Sequence, residues 1–137
     1  MSISAIPETK AALKGRKALV VGIANDQSIA WGCAKAFRAL GADLAVTYLN
    51  DRAKTFVEPL ARELEVSIFM PLDVNVEGQT EEVFERIGKE WGHLDILLHS
   101  IAFSPKDALH GRVIDVGRDG FLKTWKSPAG RSCEWRI

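Results

Sequence analysis

The sequence predicts an α/β fold in which a parallel sheet of about four strands carries helices on both faces. Two observations carry this. Short apolar runs alternate along the chain with amphipathic segments of helical period. The first apolar run ends in glycine and passes through a turn into a helix, the usual entry to a strand–helix–strand unit.

Taken in order, Gly15 and Arg16 lead into KALVVG, residues 17–22, a short run with the look of a buried strand. Ser28 precedes a helical segment with apolar residues at Ile29, Cys33, Ala36, Phe37 and Leu40, the face expected to pack inward, and Gly41 closes it as the C′ residue. Leu44 to Tyr48 forms a second strand around the β-branched Val46 and Thr47. Asn50-Asp51 opens a second helical stretch, with Pro59 expected in the first turn of its regular part, where a missing N–H is tolerated. Ser67 to Leu72 reads as the third strand. Thr80 to Trp91 reads as the third helix, with Val83, Phe84, Ile87 and Trp91 on one face and the solvated Glu81, Glu82 and Glu85 on another. Leu94 to His99 is the fourth strand. The alternation is that of the first half of a doubly wound Rossmann fold, strand order 3-2-1-4, in which the fourth strand is an edge. Residues 1–14 form a polar leader, 15–122 the domain, and 123–137 a tail unlike what precedes it, reached through a loop rich in Pro, Gly and Asp after Ile101.

Bulk properties exclude several functions. The 137 residues suit one domain with one core, 47% hydrophobic, 26% charged and of zero formal net charge. A neutral chain lacks the basic excess of a general nucleic-acid or anionic-membrane surface. The apolar runs fall far short of the roughly 20 residues of a membrane span, and the first residues make a poor secretory signal. Cys33 and Cys133 are too few for a disulfide framework or metal cluster, and His93, His99 and His110 lack metal-ligand spacing. The expected compartment is the cytoplasm.

The chemistry-bearing segment is the turn GIANDQS, residues 22–28. A glycine lets the backbone approach a pyrophosphate, and a helix N-terminus offers unpaired N–H groups and a positive dipole end. Ser28 stands at the N-cap, where its hydroxyl serves the helix or a phosphate. A plain strand-to-helix turn with a serine cap is the alternative, since G-x-G-x-x-G is absent.

G-I-A-x-x-x-S-I-A-W-G after the first strand, Leu72-Asp73-Val74, and HSIAFSP from His99 to Pro105 occur in this order and spacing. Together they resemble enoyl-acyl-carrier-protein reductase of bacterial fatty-acid synthesis, from about Leu13 to Leu122. The resemblance implies NADH- or NADPH-dependent reduction of a trans-2-enoyl thioester carried on acyl carrier protein, by a homotetramer. It assigns Gly22, Ser28 and Ile29 to the pyrophosphate turn. Asp73 and Val74 become the pair that holds the adenine, the carboxylate accepting from its amino group; a loop-opening aspartate is the alternative. Ser100, Ile101 and Ala102 border the nicotinamide-side ribose, and Phe103 and Ser104 border the acyl substrate. Many members carry glutamine beside the adenosine where this chain has Leu49, which neither bonds a ribose nor offers a cation to a 2′-phosphate. That favours NADH; Arg52 nearby is either a cation for such a phosphate or a solvated charge at the helix start.

The family's chemistry needs Tyr-x6-Lys. The one tyrosine, Tyr48, lies in the second strand, and Thr55 stands seven places on. The tail from Thr124 to Ile137 holds two of the four tryptophans, with a proline and a glycine where the family continues into a long helix. Synonymous codons for it, read one base earlier, encode a string that resembles that helix. The expectation is a frameshift near Lys123 and an inactive polypeptide. Two rivals stay open: another short-chain dehydrogenase, which would carry Asn-Ala-Gly after the fourth strand, and a non-catalytic nucleotide- or partner-binding module.

Overall fold

The computed structural model describes residues 12–102 and 106–125. They belong to two compact units that divide between Ser100 and Ile101.

The first unit is a four-stranded parallel sheet. Its strands are β1 (Lys17–Val21), β2 (Asp43–Tyr48), β3 (Ile68–Pro71) and β4 (Ile96–His99), in the order β3-β2-β1-β4. Three helices link them: α1 (Ile29–Ala39), α2 (Asp51–Glu63) and α3 (Gln79–Trp91). Handedness then fixes the layers. The α1 and α2 crossovers step from β1 toward β3, whereas the α3 crossover steps the opposite way to β4. Right-handed connections therefore put α1 and α2 on one face of the sheet and α3 on the other. The expected order 3-2-1-4 and the edge position of β4 are what the sheet has.

Packing follows the alternation of strand side chains. Ala18 and Val20 of β1 and Leu44 and Val46 of β2 join Ala30, Trp31 and Ala34 of α1 and Val57 of α2 in one buried cluster. Leu19, Val21 and Ala45 point to the opposite face, and Val83 and Ile87 of α3 are buried as well. With both faces covered, β1 and β2 read as nearly continuous apolar runs rather than alternating ones. Full burial of each valine, leucine or isoleucine side chain among them contributes about 1.5–3 kcal/mol, and each alanine less.

Three local expectations change. The buried side of α1 is Ala30, Trp31 and Ala34, and of the expected stripe Phe37 packs against the same cluster, while the Ile29–Cys33 line lies roughly 100° away, or one residue of rotation. Ile29 is 81% exposed and Cys33 only half-buried. Small alanines let the helix lie close to the sheet, and the indole of Trp31 fills the space beside them. Pro59 sits inside α2, not in its first turn, because the Asn50 side chain accepts from the Ala53 N–H (2.9 Å) and starts the helix eight residues earlier. The expected loop after Ile101 is partly helical. Gly41 meets its expectation: at φ 95° it gives its N–H to the Arg38 carbonyl, and Ala42 gives its own to Phe37, both at 3.0 Å.

One long-range tie closes the unit at the amino ends of the strands. The Asp95 carboxylate accepts from the Lys17 N–H (2.8 Å) and from Arg16 Nη1 (3.1 Å), and His93 Nε2 lies 3.2 Å away. The Asp95 N–H returns a bond to the Lys17 carbonyl (2.9 Å). The Lys17 amide is the largest influence and lowers the Asp95 pKa; burial, the next largest, opposes it, and Arg16 and His93 add smaller lowering effects. Leu13, just before the sheet, donates to the Leu40 carbonyl (2.9 Å) and packs against the cluster.

Among its described residues the second unit has two 3-10 turns, Lys106–Leu109 and Val113–Asp115, and helix α4 (Arg118–Trp125). Arg112 brackets Asp115 with its backbone N–H and guanidinium (3.1–3.3 Å), which lowers the Asp115 pKa. Phe121 and Trp125 stack one turn apart, 6.2 Å between centroids. None of the residues in these three elements is buried.

Candidate functional site

The predicted site residues of the first unit gather at the carboxyl ends of its strands. Gly22 follows β1, Leu49 follows β2, Asp73 and Val74 lie just past β3, and Ser100 follows β4. Open α/β sheets bind ligands at this end, at the point where successive crossovers change direction, which here lies between β1 and β4.

At that point the two strand exits touch. Gly22 has φ 112°, and a Cβ built on it would lie 2.0 Å from the Ser100 carbonyl oxygen and 2.5 Å from its carbon. Ser100 donates its N–H to the Val21 carbonyl (2.9 Å). Glycine is therefore demanded by backbone against backbone, before any ligand is considered.

The turn after Gly22 is built on Asn25, which sequence reasoning missed. The Asn25 Oδ1 accepts from the Gln27 N–H (2.9 Å), and its carbonyl accepts from the N–H of Ser28 (3.2 Å) and from the Ser28 hydroxyl (2.6 Å). Ser28 occupies the N-cap position, as expected, but its side chain makes no capping bond to α1. The hydroxyl proton goes to the turn instead. Asn followed by Asp is a turn signal, and it was the available clue. Ile23 is buried and anchors the turn, while residues 24–27 are exposed. The first-turn amides at Ile29 and Ala30 precede the helix's own bonding pattern and face no capping side chain.

After β3 the chain is pinned at successive residues. Leu72, buried, donates its N–H to the Tyr48 carbonyl of β2 (2.8 Å). Asp73 donates its N–H to Gln79 Oε1 (2.8 Å), and its Oδ1 accepts from both the N–H and the Nδ2 of Asn75 (2.9 and 3.0 Å). The Asp73 carbonyl accepts from Val76 (3.0 Å). Asp73 thus opens the loop as an Asx turn with one carboxylate oxygen committed. Gln79 is the second residue that sequence reasoning missed; first-turn position on α3 was its only signal. Leu49 is 54% exposed and Arg52 is exposed on the first turn of α2.

Ile101 and Ala102, half-buried and exposed, belong to the second unit; Phe103 and Ser104 lie outside the described residues. No grouping of His, Cys, Asp or Glu able to hold a metal ion occurs among the described residues.

Sheet order, crossover switch and glycine-ended first strand define the class: a doubly wound α/β domain of the Rossmann type. Within that class, the family profile described as enoyl-(acyl carrier protein) reductase matches residues 22–129, and the chain belongs to that family. It is 42% identical over 112 residues to enoyl-acyl-carrier-protein reductase (NADH) 1 of Rhizobium meliloti, covering 82% of this chain and 41% of the relative. The Enterococcus faecalis enzyme of that name is 44% identical over 110 residues, covering 80% and 43%. Among solved structures, the Anaplasma phagocytophilum reductase in complex with NAD superposes with a TM-score of 0.77 at 41% identity, over 85% of this chain and 44% of the other. The Bacillus cereus reductase with NADP+ and indole naphthyridinone gives 0.74 at 39%, over 82% and 44%. The chain spans less than half the length of these relatives.

Proposed function

We propose that this chain binds a nicotinamide adenine dinucleotide, NADH in preference to NADPH, chiefly through its adenosine half. The family's reaction is the reduction of a trans-2-enoyl thioester on acyl carrier protein, and this polypeptide does not carry it out. The observation that supports the binding reading is the contact of Gly22 with the Ser100 carbonyl at the β1–β4 switch, beside a helix start whose side-chain cap is absent.

The donor set fits the group. First-turn amides after Ser28 suit the pyrophosphate, with Gly22 and Ile29 flanking it. The loop of Asp73 and Val74 takes the adenine, where the Asp73 carboxylate accepts from the amino group. Exposed Leu49 leaves a 2′-phosphate without a cation at the end of β2, which favours NADH. When bound, the reduced nicotinamide supplies a hydride. The resemblance assigns Ser100, Ile101 and Ala102 to the nicotinamide side of the ligand, and Phe103 and Ser104 to the acyl substrate.

Turnover needs a tyrosine to stabilise the developing enolate and a lysine to hold the ribose, spaced Tyr-x6-Lys. The chain's Tyr48 is instead a β2 residue packed 4.7 Å from Phe69, with Thr55 at the seventh position. Purified chain given NADH and a crotonyl thioester should consume no cofactor; turnover at a few per cent of a full-length relative, after controls for host enzyme, sinks the inactivity reading. Calorimetry should find NADH binding weaker than micromolar and weakened further by Asp73→Ala. Submicromolar affinity, or no change in that variant, counts against the adenosine-centred site. The proposed compartment is the cytoplasm, in keeping with the lack of any helix long and apolar enough to cross a membrane among the described residues.

A further inference from the structure

We infer that Gln79 is a positioning residue for purine selectivity: its side-chain carbonyl clasps the Asp73 amide and so aims the Asp73 carboxylate. The inference rests on the adenine reading given above and deepens it. Gln79 is the first residue of α3, six positions beyond Asp73, and its Oε1 accepts from the Asp73 N–H at 2.8 Å. The amide just before is pinned as well, Leu72 N–H to the Tyr48 carbonyl. Two consecutive amides held by two different elements leave the backbone at Asp73 little freedom to rotate. The carboxylate is oriented in turn, because Oδ1 is tied twice to Asn75. That commits one oxygen to the turn and leaves Oδ2 to accept from an exocyclic amine, a donor that adenine has and hypoxanthine lacks. A small polar side chain, or none, at position 79 cannot span to the Asp73 amide. The clasp therefore depends on the reach of glutamine from the helix start.

The test uses the full chain with two soluble probes, adenosine diphosphoribose and its inosine analogue, whose affinities are measured by calorimetry beside a thermal melt. Wild type should prefer the adenine probe. Gln79→Leu, which keeps the bulk and removes the acceptor, should shrink that preference about fivefold, the value of one modest hydrogen bond, with little change in melting temperature. Gln79→Glu retains an acceptor of equal reach and should keep most of the preference. An undiminished preference in Gln79→Leu overturns the clasp. So does loss of preference in both variants in step with their melting temperatures, which marks a merely structural role. If wild type itself shows no preference for adenine, the underlying adenine site fails, a different result from either of these.

Discussion

The two units of the chain are built on opposite principles. In the first, residues far apart in sequence meet: β1 pairs with β2 on one side and with β4 on the other, and Leu19, Val20 and Val46 are at most 1% exposed. In the second, order is mostly local, apart from α4 lying against the first 3-10 turn with Gly120 beside Ala108. Arg112 pairs with Asp115 and Phe121 stacks on Trp125, while Val113, Ile114 and Leu109 are 65–90% exposed. Helical turns form from neighbouring residues alone, but a helix gains most of its stability from burying a face. The contrast separates having secondary structure from being held in place by packing.

The contrast breaks most readily at Gly22. Gly22→Ala puts a methyl into the Ser100 carbonyl and takes a positive φ, so it should cost about 3 kcal/mol or more, read as loss of the cooperative urea transition. A near-native midpoint would mean that the strand exits separate easily. Next in size, Leu19→Ala should destabilise by about 2–5 kcal/mol, and Val113→Ala, at a residue 90% exposed, by less than about 0.5 kcal/mol. Equal losses in paired denaturation curves would erase the distinction between the units.

Smaller still is the effect of pH through Asp95. Its folded pKa is lowered, chiefly by the Lys17 amide, so the stability it contributes is present above the unfolded value and is lost as pH falls through the folded value. Asp95→Asn should therefore be less stable than wild type at neutral pH. The gap should close as the pH drops below the ordinary carboxylate range, near 4. A gap that stays constant to pH 3 would assign the residue's role to geometry rather than charge.

The same division governs what the sequence made legible. Strand order and element sequence were readable because the first unit obeys period and glycine punctuation throughout, down to Gly41 at φ 95°. The face of α1 was not. A count of apolar positions favours Ile29 and Cys33, but the sheet selects small residues that allow close approach, plus Trp31. Pro59 misled because the Asn50 cap outweighs a single proline in setting where α2 begins. At the candidate site, Gly22 and Asp73 were readable as positions, but their bonding was not. The Ser28 hydroxyl turning to Asn25, and Gln79 reaching back to Asp73, are choices between equally short side-chain bonds that only the assembled loop decides. In the second unit little was legible, since local helical turns without a buried face leave no period to read.

The pairing of β1 with β4 also sets a clock. Lys17 finds its partner Asp95 only after 78 further residues have been made. On a ribosome adding about 5–20 residues per second, that is a wait of several seconds. During it β1, β2 and β3 can pair among themselves, since each of those crossovers closes over a shorter stretch of chain. The last strand then joins against a loop-closure entropy that grows only slowly with length, so the delay is one of synthesis more than of free energy. Until it joins, the flank of β1 that β4 will cover is itself the open edge of the growing sheet, and the nascent chain is most exposed to mispairing there.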